Sequence, residues 1–136
     1  MQFKTDNTIY ASDYGNTKTM AEAVGRGVDS IEKASSTLVE AERVSIEEVT
    51  SSDALVVGTP VHMCSCDWRV KKCIDTICSR LWMKDALVGK VSGVFASGGG
   101  YGGGAGGAEL AMLSIINLSS TLKPLFFRIF CPKSPI

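Results

Sequence analysis

The sequence predicts an α/β domain built on a mostly parallel sheet of five strands. Segments with the apolar or alternating pattern of strands are separated by segments with helical periodicity, in the order β-α-β-α-β-α-β-α-β. The run Ala54–Gly58 is continuously apolar, as strands buried on both faces of a parallel sheet are. The 136 residues fit a single domain, spanning 1–136. We expect right-handed crossovers to place helices on both faces of the sheet.

The chain opens with a short strand and a long amphipathic helix. The strand is predicted over 8–11 only, because Thr5, Asp6 and Asn7 are too polar for a central buried strand. The helix is predicted over 17–31, where apolar side chains recur at helical spacing: Met20, Val24, Val28 and Ile31.

Two weaker elements precede the apolar third strand. The segment 37–44 alternates weakly, which is typical of a strand at the edge of a sheet. Ser45, with Glu48 three residues further on, forms the capping-box pattern of a short helix over 45–49. The third strand is Ala54–Gly58.

The second half of the chain continues the alternation. A helix is predicted over 67–81, because one stripe of it is apolar: Val70, Cys73, Ile74, Ile77 and Leu81. A strand over 91–96 precedes a glycine-rich loop, and a helix over 109–118 and a last strand over 125–130 follow. The chain then stops, so the C-terminal helix of the fold is apparently missing and one sheet face would stay partly uncovered. A partner subunit and an incomplete open reading frame are the two explanations.

The charge balance and the hydropathy pattern exclude several classes of protein. Lys plus Arg and Asp plus Glu both number 14, so the formal net charge is zero and a strongly basic nucleic-acid-binding protein is disfavoured. No apolar run approaches the roughly 18 residues of a membrane-spanning helix, and the start of the chain has no signal-peptide core. These features predict a cytoplasmic protein.

The five cysteines are an odd number, so they cannot all pair within one chain. Without an export signal, free thiols are the default. The spacing C-x-C-x6-C-x4-C, from Cys64 to Cys78, lacks the paired C-x2-C motif of zinc sites, although His62 is beside it. We therefore expect no metal. A zinc or iron–sulfur site is the less favoured alternative to small buried side chains.

Three loops follow the carboxyl ends of predicted strands and carry unusual residues: the first loop (12–17), the second loop (59–66) and the third loop (97–107). In parallel α/β sheets, ligands bind outside the carboxyl ends of the strands, where the strand order reverses. The three loops are therefore the candidate binding site.

The first loop, Ser12-Asp13-Tyr14-Gly15-Asn16-Thr17, has the chemistry of a phosphate site. The helix that follows turns its free N–H groups and the positive end of its dipole toward the loop, so a phosphate monoester could bind without a lysine or arginine. Ser12, Asn16 and Thr17 can donate hydrogen bonds, and Gly15 lets the backbone approach closely. Plain N-capping by Asn16 is the alternative. Asp13 should point outward, away from a dianion.

Two nucleotide-binding motifs are absent or weak. The Gly-Lys-Ser/Thr of a Walker loop does not occur. Gly98, Gly100 and Gly103 match G-x-G-x-x-G, but this segment holds eight of the 14 glycines, so the match is weak. No acidic residue follows about 20 positions later to bind a ribose, and a dinucleotide site is disfavoured.

The order strand, S-x-x-G-N-T, helix resembles the flavodoxin-like superfamily. Further segments are similar to the FMN-dependent NAD(P)H:quinone oxidoreductases once described as tryptophan-repressor-binding proteins: Gly58 to Met63, Leu81-Trp82 through Val91, and Val94 to Gly99 with Gly106-Gly107-Ala108-Glu109 downstream. The likeness covers about residues 8–122. It implies a flavodoxin-like three-layer sandwich.

The resemblance also implies how FMN would bind. The phosphate would lie against the first loop, at Ser12, Asp13, Tyr14, Gly15, Asn16 and Thr17. The isoalloxazine ring would lie beside the backbone of Thr59, Pro60, Val61, His62 and Met63. Its other side would be covered by Ser97, Gly98, Gly99, Gly100, Tyr101 and Gly102. Trp82 would help wall the pocket across a subunit interface, in a homo-oligomer such as a dimer or tetramer.

Some positions depart from that family. Cys64-Ser65-Cys66 replaces Gly-Asn-Met or similar, and Cys73 replaces an aromatic residue. Lys123-Pro124 stands where the family has a histidine-bearing turn, so no catalytic side chain is predicted.

The predicted function is that of an FMN-binding flavoprotein that accepts a hydride from NAD(P)H and reduces a quinone-like acceptor. A flavodoxin-type electron carrier, with a redox protein as its partner, is the first alternative. The zero net charge favours the reductase, because such carriers usually present a strongly acidic face. A truncated member with impaired flavin binding is the other alternative.

Overall fold

The computed structural model describes residues 4–99 and the strand at 123–126. Within them, five strands form a parallel sheet: β1 (Lys4–Tyr10), β2 (Ala34–Glu40), β3 (Ala54–His62), β5 (Val91–Ser97) and β6 (Lys123–Phe126). A short strand β4 (Ser65–Cys66) pairs antiparallel with the end of β3. The order across the parallel sheet is β2-β1-β3-β5-β6. The predicted α/β fold with its five-stranded parallel sheet is confirmed.

Helices connect these strands. They are α1 (Asn16–Asp29), α2 (Ile46–Ser51), α3 (Trp68–Cys73) and α4 (Ser79–Trp82), with a π-helical segment at Ile74–Cys78 joining the last two. The predicted capping box of α2 is present, because Glu48 N–H donates to Ser45 Oγ and Ser45 N–H donates to the Glu48 carboxylate. The predicted helix over 67–81 is confirmed in extent, but its π-helical interior was not expected. No helix of the described residues has the length and apolarity needed to cross a membrane.

Each face of the sheet has its own apolar cluster. The side chains of successive strand residues point to opposite faces, so Ile9 belongs to one cluster and Tyr10 to the other. The larger cluster packs the sheet against α2, α3 and α4, with Val49, Val70 and Leu81 among its buried members. The smaller cluster lies under α1 and includes Met20, Ala21 and Phe95. Among the described residues, helices thus pack on both faces of the sheet, as expected for parallel strands.

The prediction for β1 was wrong at its start, because the strand already begins at Lys4. Asp6, Asn7 and Thr8 are all buried in it. Two hydrogen bonds pair these side chains inside the fold: Thr8 Oγ1 donates to Asp6 Oδ2 at 3.0 Å, and Asn7 Nδ2 donates to the Glu48 carbonyl. Asp6 Oδ1 has no partner among the described residues. Burial raises the pKa of the Asp6 carboxyl, although the Thr8 hydrogen bond opposes that rise. Hydrogen bonds inside the fold therefore let Asn7 and Thr8 occupy a central strand.

Other predicted bounds shift by a few residues. α1 ends at Asp29, so Ile31 lies beyond the helix and is exposed rather than part of its apolar stripe. β2 starts and ends earlier than 37–44, but it does lie at the sheet edge. β6 overlaps the predicted last strand at 125–126. The rest of that strand, the helix over 109–118 and the predicted lack of a C-terminal helix lie outside the described residues.

Gly58 lies in β3, immediately before the second loop, and the ring of Phe95 packs directly on it. A Cβ added at Gly58 would overlap three ring atoms of Phe95, whose side chain is fully buried. The ring therefore has no free space to move into, and glycine is required by close packing at this position.

We expect Gly58→Ala to destabilise the protein by about 1–3 kcal/mol, because the methyl group must displace a buried ring. Gly27→Ala is the matched control: Gly27 is exposed in α1, and a Cβ there meets nothing within 4 Å. Alanine should stabilise that helix by up to about 1 kcal/mol. Urea unfolding of both variants measures the difference. Equal stability of Gly58→Ala and the wild type would contradict the packing of Phe95 on β3.

Candidate functional site

The first loop, the second loop and the described start of the third, Ser97 to Gly99, lie together at the carboxyl edge of the sheet. Strand order reverses between β1 and β3, which lie side by side. Thr17 Oγ1 and Ser97 Oγ are 2.7 Å apart, which joins the first loop to the start of the third. Asp13 Oδ2 and His62 Nε2 are 3.1 Å apart, which joins the first loop to the second.

The first loop presents unpaired backbone donors. Gly15 has a φ of 87° and occupies the N-cap position of α1, where no side chain accepts a hydrogen bond. Ser12 Oγ accepts from the N–H groups of Gly15, at 3.1 Å, and Lys18, at 3.3 Å. In the part of the chain that the structure describes, nothing accepts the N–H groups of Asn16 and Thr17. Free N–H groups at the positive end of a helix are the arrangement that binds anions.

The alternative interpretation of Asn16 is therefore wrong. Asn16 is the first residue of α1 and does not cap it. Thr17 is buried, and its hydroxyl is paired with that of Ser97, so its side chain holds the first turn of α1 against the end of β5. The hydrogen-bond donors that this loop still offers to an anion are therefore chiefly backbone N–H groups.

The second loop is a tight hairpin that the sequence did not predict. Val61 pairs with Cys66 and His62 with Ser65, which leaves Met63 and Cys64 as the two turn residues. Both have positive φ, 50° and 62°, as the turns of two-residue hairpins require. This conformation usually selects Gly or Asn, so neither residue signals the turn. The Met63 side chain is 97% exposed at the tip.

Thr59 ties this hairpin to the following helix. Its side chain is buried, and its Oγ1 accepts from the Asp67 N–H at 2.8 Å while donating to the Pro60 carbonyl. The backbone of Thr59 to Met63 is thereby fixed along the edge where the ring contact is predicted. That contact stays a prediction.

Four charged or titratable side chains form a cluster between the first and second loops. This charged cluster consists of Asp13, His62, Asp67 and Arg69. Arg69 Nη2 donates to Asp13 Oδ1 at 2.7 Å and to Asp67 Oδ2 at 2.8 Å. Arg69 Nε and N–H both donate to Asp67 Oδ1 at 2.8 Å. His62 Nε2 lies 3.1 Å from a carboxylate oxygen of each aspartate.

Asp67 is the buried anchor of the charged cluster. Its side chain is 1% exposed and caps α3. Burial alone would raise the pKa of the Asp67 carboxyl, but the hydrogen bonds and charge of Arg69, together with His62, hold it below the ordinary value. The hydrogen bonds from Arg69 to Asp67 raise the pKa of the guanidinium in turn. Both partners therefore keep their charges at neutral pH.

The charged cluster also has the spacing of a metal site. Ligand atoms of Asp13, His62 and Asp67 lie within 4.8 Å of one another. However, the guanidinium of Arg69 already lies on both carboxylates, so a positive charge occupies the place a cation would take. The neighbouring thiols of Cys66, Cys73 and Cys78 pack against the larger apolar cluster instead.

A cavity of about 210 Å³ opens beside the first loop. Ser12, Gly15 and Lys18 line it from the first loop and α1, Arg69 lines it from α3, and Glu40 to Glu42 line it beyond β2. It does not include Thr59 to Met63, so it lies next to the predicted phosphate position and away from the predicted ring position. Two cations thus lie near a loop whose own sequence contains none.

The remaining predicted contacts stay predictions. Tyr14 is 92% exposed, and Trp82, at the end of α4, is 47% exposed. Gly98 and Gly99 follow β5 directly. Gly100, Tyr101 and Gly102 lie outside the described residues. Sequence reasoning missed Asp67 and Arg69. Asp67 could have been found from its position as the N-cap of α3. No sequence pattern near Arg69 indicated that its side chain reaches Asp13.

Asp67→Asn should retain the cap of α3, since asparagine caps as well as aspartate does, but lose its charge. A carboxyl with a depressed folded-state pKa stabilises the fold above its ordinary pKa of 3.8, and this stabilisation is lost as the pH falls through the folded-state value. We therefore expect the variant to be less stable at about pH 7, and the difference from the wild type to shrink below about pH 5.

Urea unfolding across this pH range measures the difference. Asp75→Asn is the control, because Asp75 pairs with Lys71 at the exposed surface, where an ion pair contributes about 0–1 kcal/mol. A stability difference for Asp67→Asn that does not change with pH would contradict the role of its charge.

Comparison with known proteins places this chain in a family. Residues 8–132 match the family described as Flavodoxin. A flavodoxin of Aquifex aeolicus is 36% identical over 110 residues, which are 81% of this chain and 57% of that protein. An NAD(P)H dehydrogenase (quinone) of Geobacter sulfurreducens is 30% identical over an alignment of 120 positions, and the match covers 71% of this chain and 59% of that protein. The chain therefore spans less than two thirds of the length of these relatives.

Solved structures share the fold. A flavodoxin from the domain Archaea matches with a TM-score of 0.78 and 22% identity, over 96% of this chain and 85% of that chain. The flavodoxin, WrbA-like protein from Agrobacterium tumefaciens matches with a TM-score of 0.75 and 26% identity, over 88% of this chain and 75% of that chain. The resemblance inferred from the loop motifs is confirmed, and with nearly its whole length matched to the family, the chain belongs to the flavodoxins.

Proposed function

We propose that this protein binds FMN at the three loops and acts as an NAD(P)H-dependent reductase of quinones or similar acceptors. The observation that carries the proposal is the first loop. It offers two N–H groups that nothing in residues 4–99 accepts, and a left-handed glycine at the start of a 14-residue helix, next to the point where the strand order reverses. This donor set fits a phosphate monoester.

The ring of FMN would lie between the second and third loops. The hairpin of the second loop and the end of β5 are held to the first loop by the contacts of Asp13 with His62 and of Thr17 with Ser97. Their spacing is thus fixed before any ligand arrives, which lowers the entropy lost on binding. The predicted ring contacts are Thr59 to Met63 on one side and Ser97 to Gly102 on the other.

When bound, FMN supplies the redox chemistry, accepting a hydride from NAD(P)H and passing the electrons to the acceptor. The protein supplies binding and orientation. The first loop holds the phosphate, and the backbone of the second loop supports one side of the ring. The hydride step needs no acid or base from the chain, which agrees with the lack of a predicted catalytic side chain.

A flavodoxin-type electron carrier is the second candidate. The 36% identity to the Aquifex aeolicus flavodoxin supports it, whereas the 30% identity to the NAD(P)H dehydrogenase (quinone) supports the reductase. The zero net charge of this chain adds weight to the reductase, because a carrier uses an acidic face to attract its protein partner.

The visible absorption spectrum after incubation with FMN and desalting tests flavin binding. We expect a retained flavin band that NADH or NADPH bleaches under anaerobic conditions and that a quinone restores. A retained band that NAD(P)H leaves unchanged would favour the carrier. No retained flavin would overturn the proposal.

We also propose a homo-oligomer in the cytoplasm. The side chains of Trp82, Met83 and Val88 are apolar and 47%, 79% and 51% exposed around the end of α4. The cysteines Cys64, Cys66, Cys73 and Cys78 are free, which agrees with a reducing compartment. Light scattering measures the subunit number, and a monomer at all concentrations would overturn the proposed homo-oligomer.

Gly15→Ala should weaken FMN binding about tenfold. A Cβ at a φ of 87° costs roughly 1–2 kcal/mol, and relief of this strain changes the backbone conformation that orients the N–H groups of the first loop. Gly89→Ala is the matched control, since Gly89 has a φ of 82° with equally open space but lies outside the three loops. Both variants should lose similar stability, measured by thermal unfolding, while only Gly15→Ala loses affinity, measured by flavin fluorescence quenching. Equal FMN affinity in both variants would argue against phosphate binding at this loop.

A further inference from the structure

A carboxylate in a phosphate-binding loop is an electrostatic problem. Asp13 directly follows Ser12, whose hydroxyl organises the first loop. An unpaired negative charge there would repel a dianion, and like charges brought together cost binding energy. If the loop binds phosphate, as proposed above, the charge of Asp13 has to be turned away or compensated.

Each oxygen of the Asp13 carboxylate has a partner in the structure. Arg69 Nη2 contacts Asp13 Oδ1 at 2.7 Å, and His62 Nε2 contacts Asp13 Oδ2 at 3.1 Å. Both carboxylate oxygens are thus directed toward the second loop and α3. Each oxygen is therefore engaged by a side chain from outside the first loop.

Arg69 is held in place independently of Asp13. Its backbone N–H, Nε and Nη2 all contact the Asp67 carboxylate, which is 1% exposed, while the Arg69 side chain is 16% exposed. Asp67 is fixed in turn by its N–H bond to Thr59 Oγ1. The guanidinium is therefore preorganised, and meeting Asp13 costs it little further entropy.

Arg69 also lines the cavity beside the first loop, together with Ser12 and Gly15. Its positive charge is consequently close to the loop as well as to Asp13. The charge of Asp67 offsets part of this, so the guanidinium acts mainly through Asp13.

We propose that Arg69 is a positioning residue for the phosphate of the cofactor: it holds the Asp13 carboxylate toward α3 and offsets its charge, so that the loop accepts a dianion. This inference rests on the proposed FMN site. It assigns phosphate selectivity to a residue outside the three loops.

The test compares FMN with riboflavin, which has the same ring but no phosphate. Dissociation constants of both are measured by flavin fluorescence for the wild type, Arg69→Gln, Asp13→Asn and the double variant. We expect Arg69→Gln to weaken FMN about tenfold and riboflavin less than about twofold, since only FMN meets the uncompensated carboxylate. Adding Asp13→Asn should restore most of the FMN affinity, because the repelling charge is then gone.

Two further variants separate charge from folding. Arg69→Lys keeps the positive charge and should keep the ratio of the two affinities close to that of the wild type. Asp13→Asn alone should increase the affinity for FMN relative to that for riboflavin, because Arg69 then has no carboxylate to neutralise at the loop. Circular dichroism shows whether each variant is folded.

The outcomes are distinct. Equal loss of both flavins in Arg69→Gln, or no recovery in the double variant, would overturn the role of Arg69 and indicate a bridge that only supports the fold. A wild type that binds neither flavin would reject the proposed function itself.

Discussion

The pairing of β1 with β2 on one side and β3 on the other is the constraint on which the site depends. It places the carboxyl end of the first strand beside the point where the strand order reverses. The first loop then has to cross the edge next to the second loop, and α1 has to start there with its free N–H groups outward. The central position of β1 also buries Asp6, Asn7 and Thr8, so the strand that carries the first loop depends on internal hydrogen bonds as well as on apolar packing.

Hydrophobic periodicity was sufficient to predict the elements in which the polarity of each side chain matches its burial. The apolar run at Ala54–Gly58 and the stripe from Val70 to Leu81 are buried or partly buried, and the capping box at Ser45 is present, because each pattern reflects a short-range physical requirement. The start of β1 was wrong for the complementary reason. Hydropathy treats each side chain alone, whereas Asn7 is stabilised by the carbonyl of Glu48, 41 residues away in sequence.

The site shows the same division between local and distant causes. The glycine and hydroxyl residues of the first loop could be recognised, because a helix N-terminus needs them wherever it lies in the fold. The hairpin at Met63 and Cys64 could not, since neither residue is one that the turn usually selects. The Arg69 contact with Asp13 spans 56 residues and forms only once β1 and β3 are neighbours. Charge compensation of this kind becomes visible in the fold and not in the motif.

The first loop and the charged cluster make different electrostatic contributions to the candidate site. The loop has no lysine or arginine of its own, so its attraction for an anion comes from backbone N–H groups whose direction is set by the left-handed turn at Gly15. Dipoles of this kind are effective only over short distances, and a nearby full charge easily outweighs them. The ion pair of Asp13 with Arg69 therefore matters more here than in a loop that carries its own cation, because it offsets the one full negative charge that the loop contains. The charge balance at the first loop therefore depends on a side chain that lies outside it.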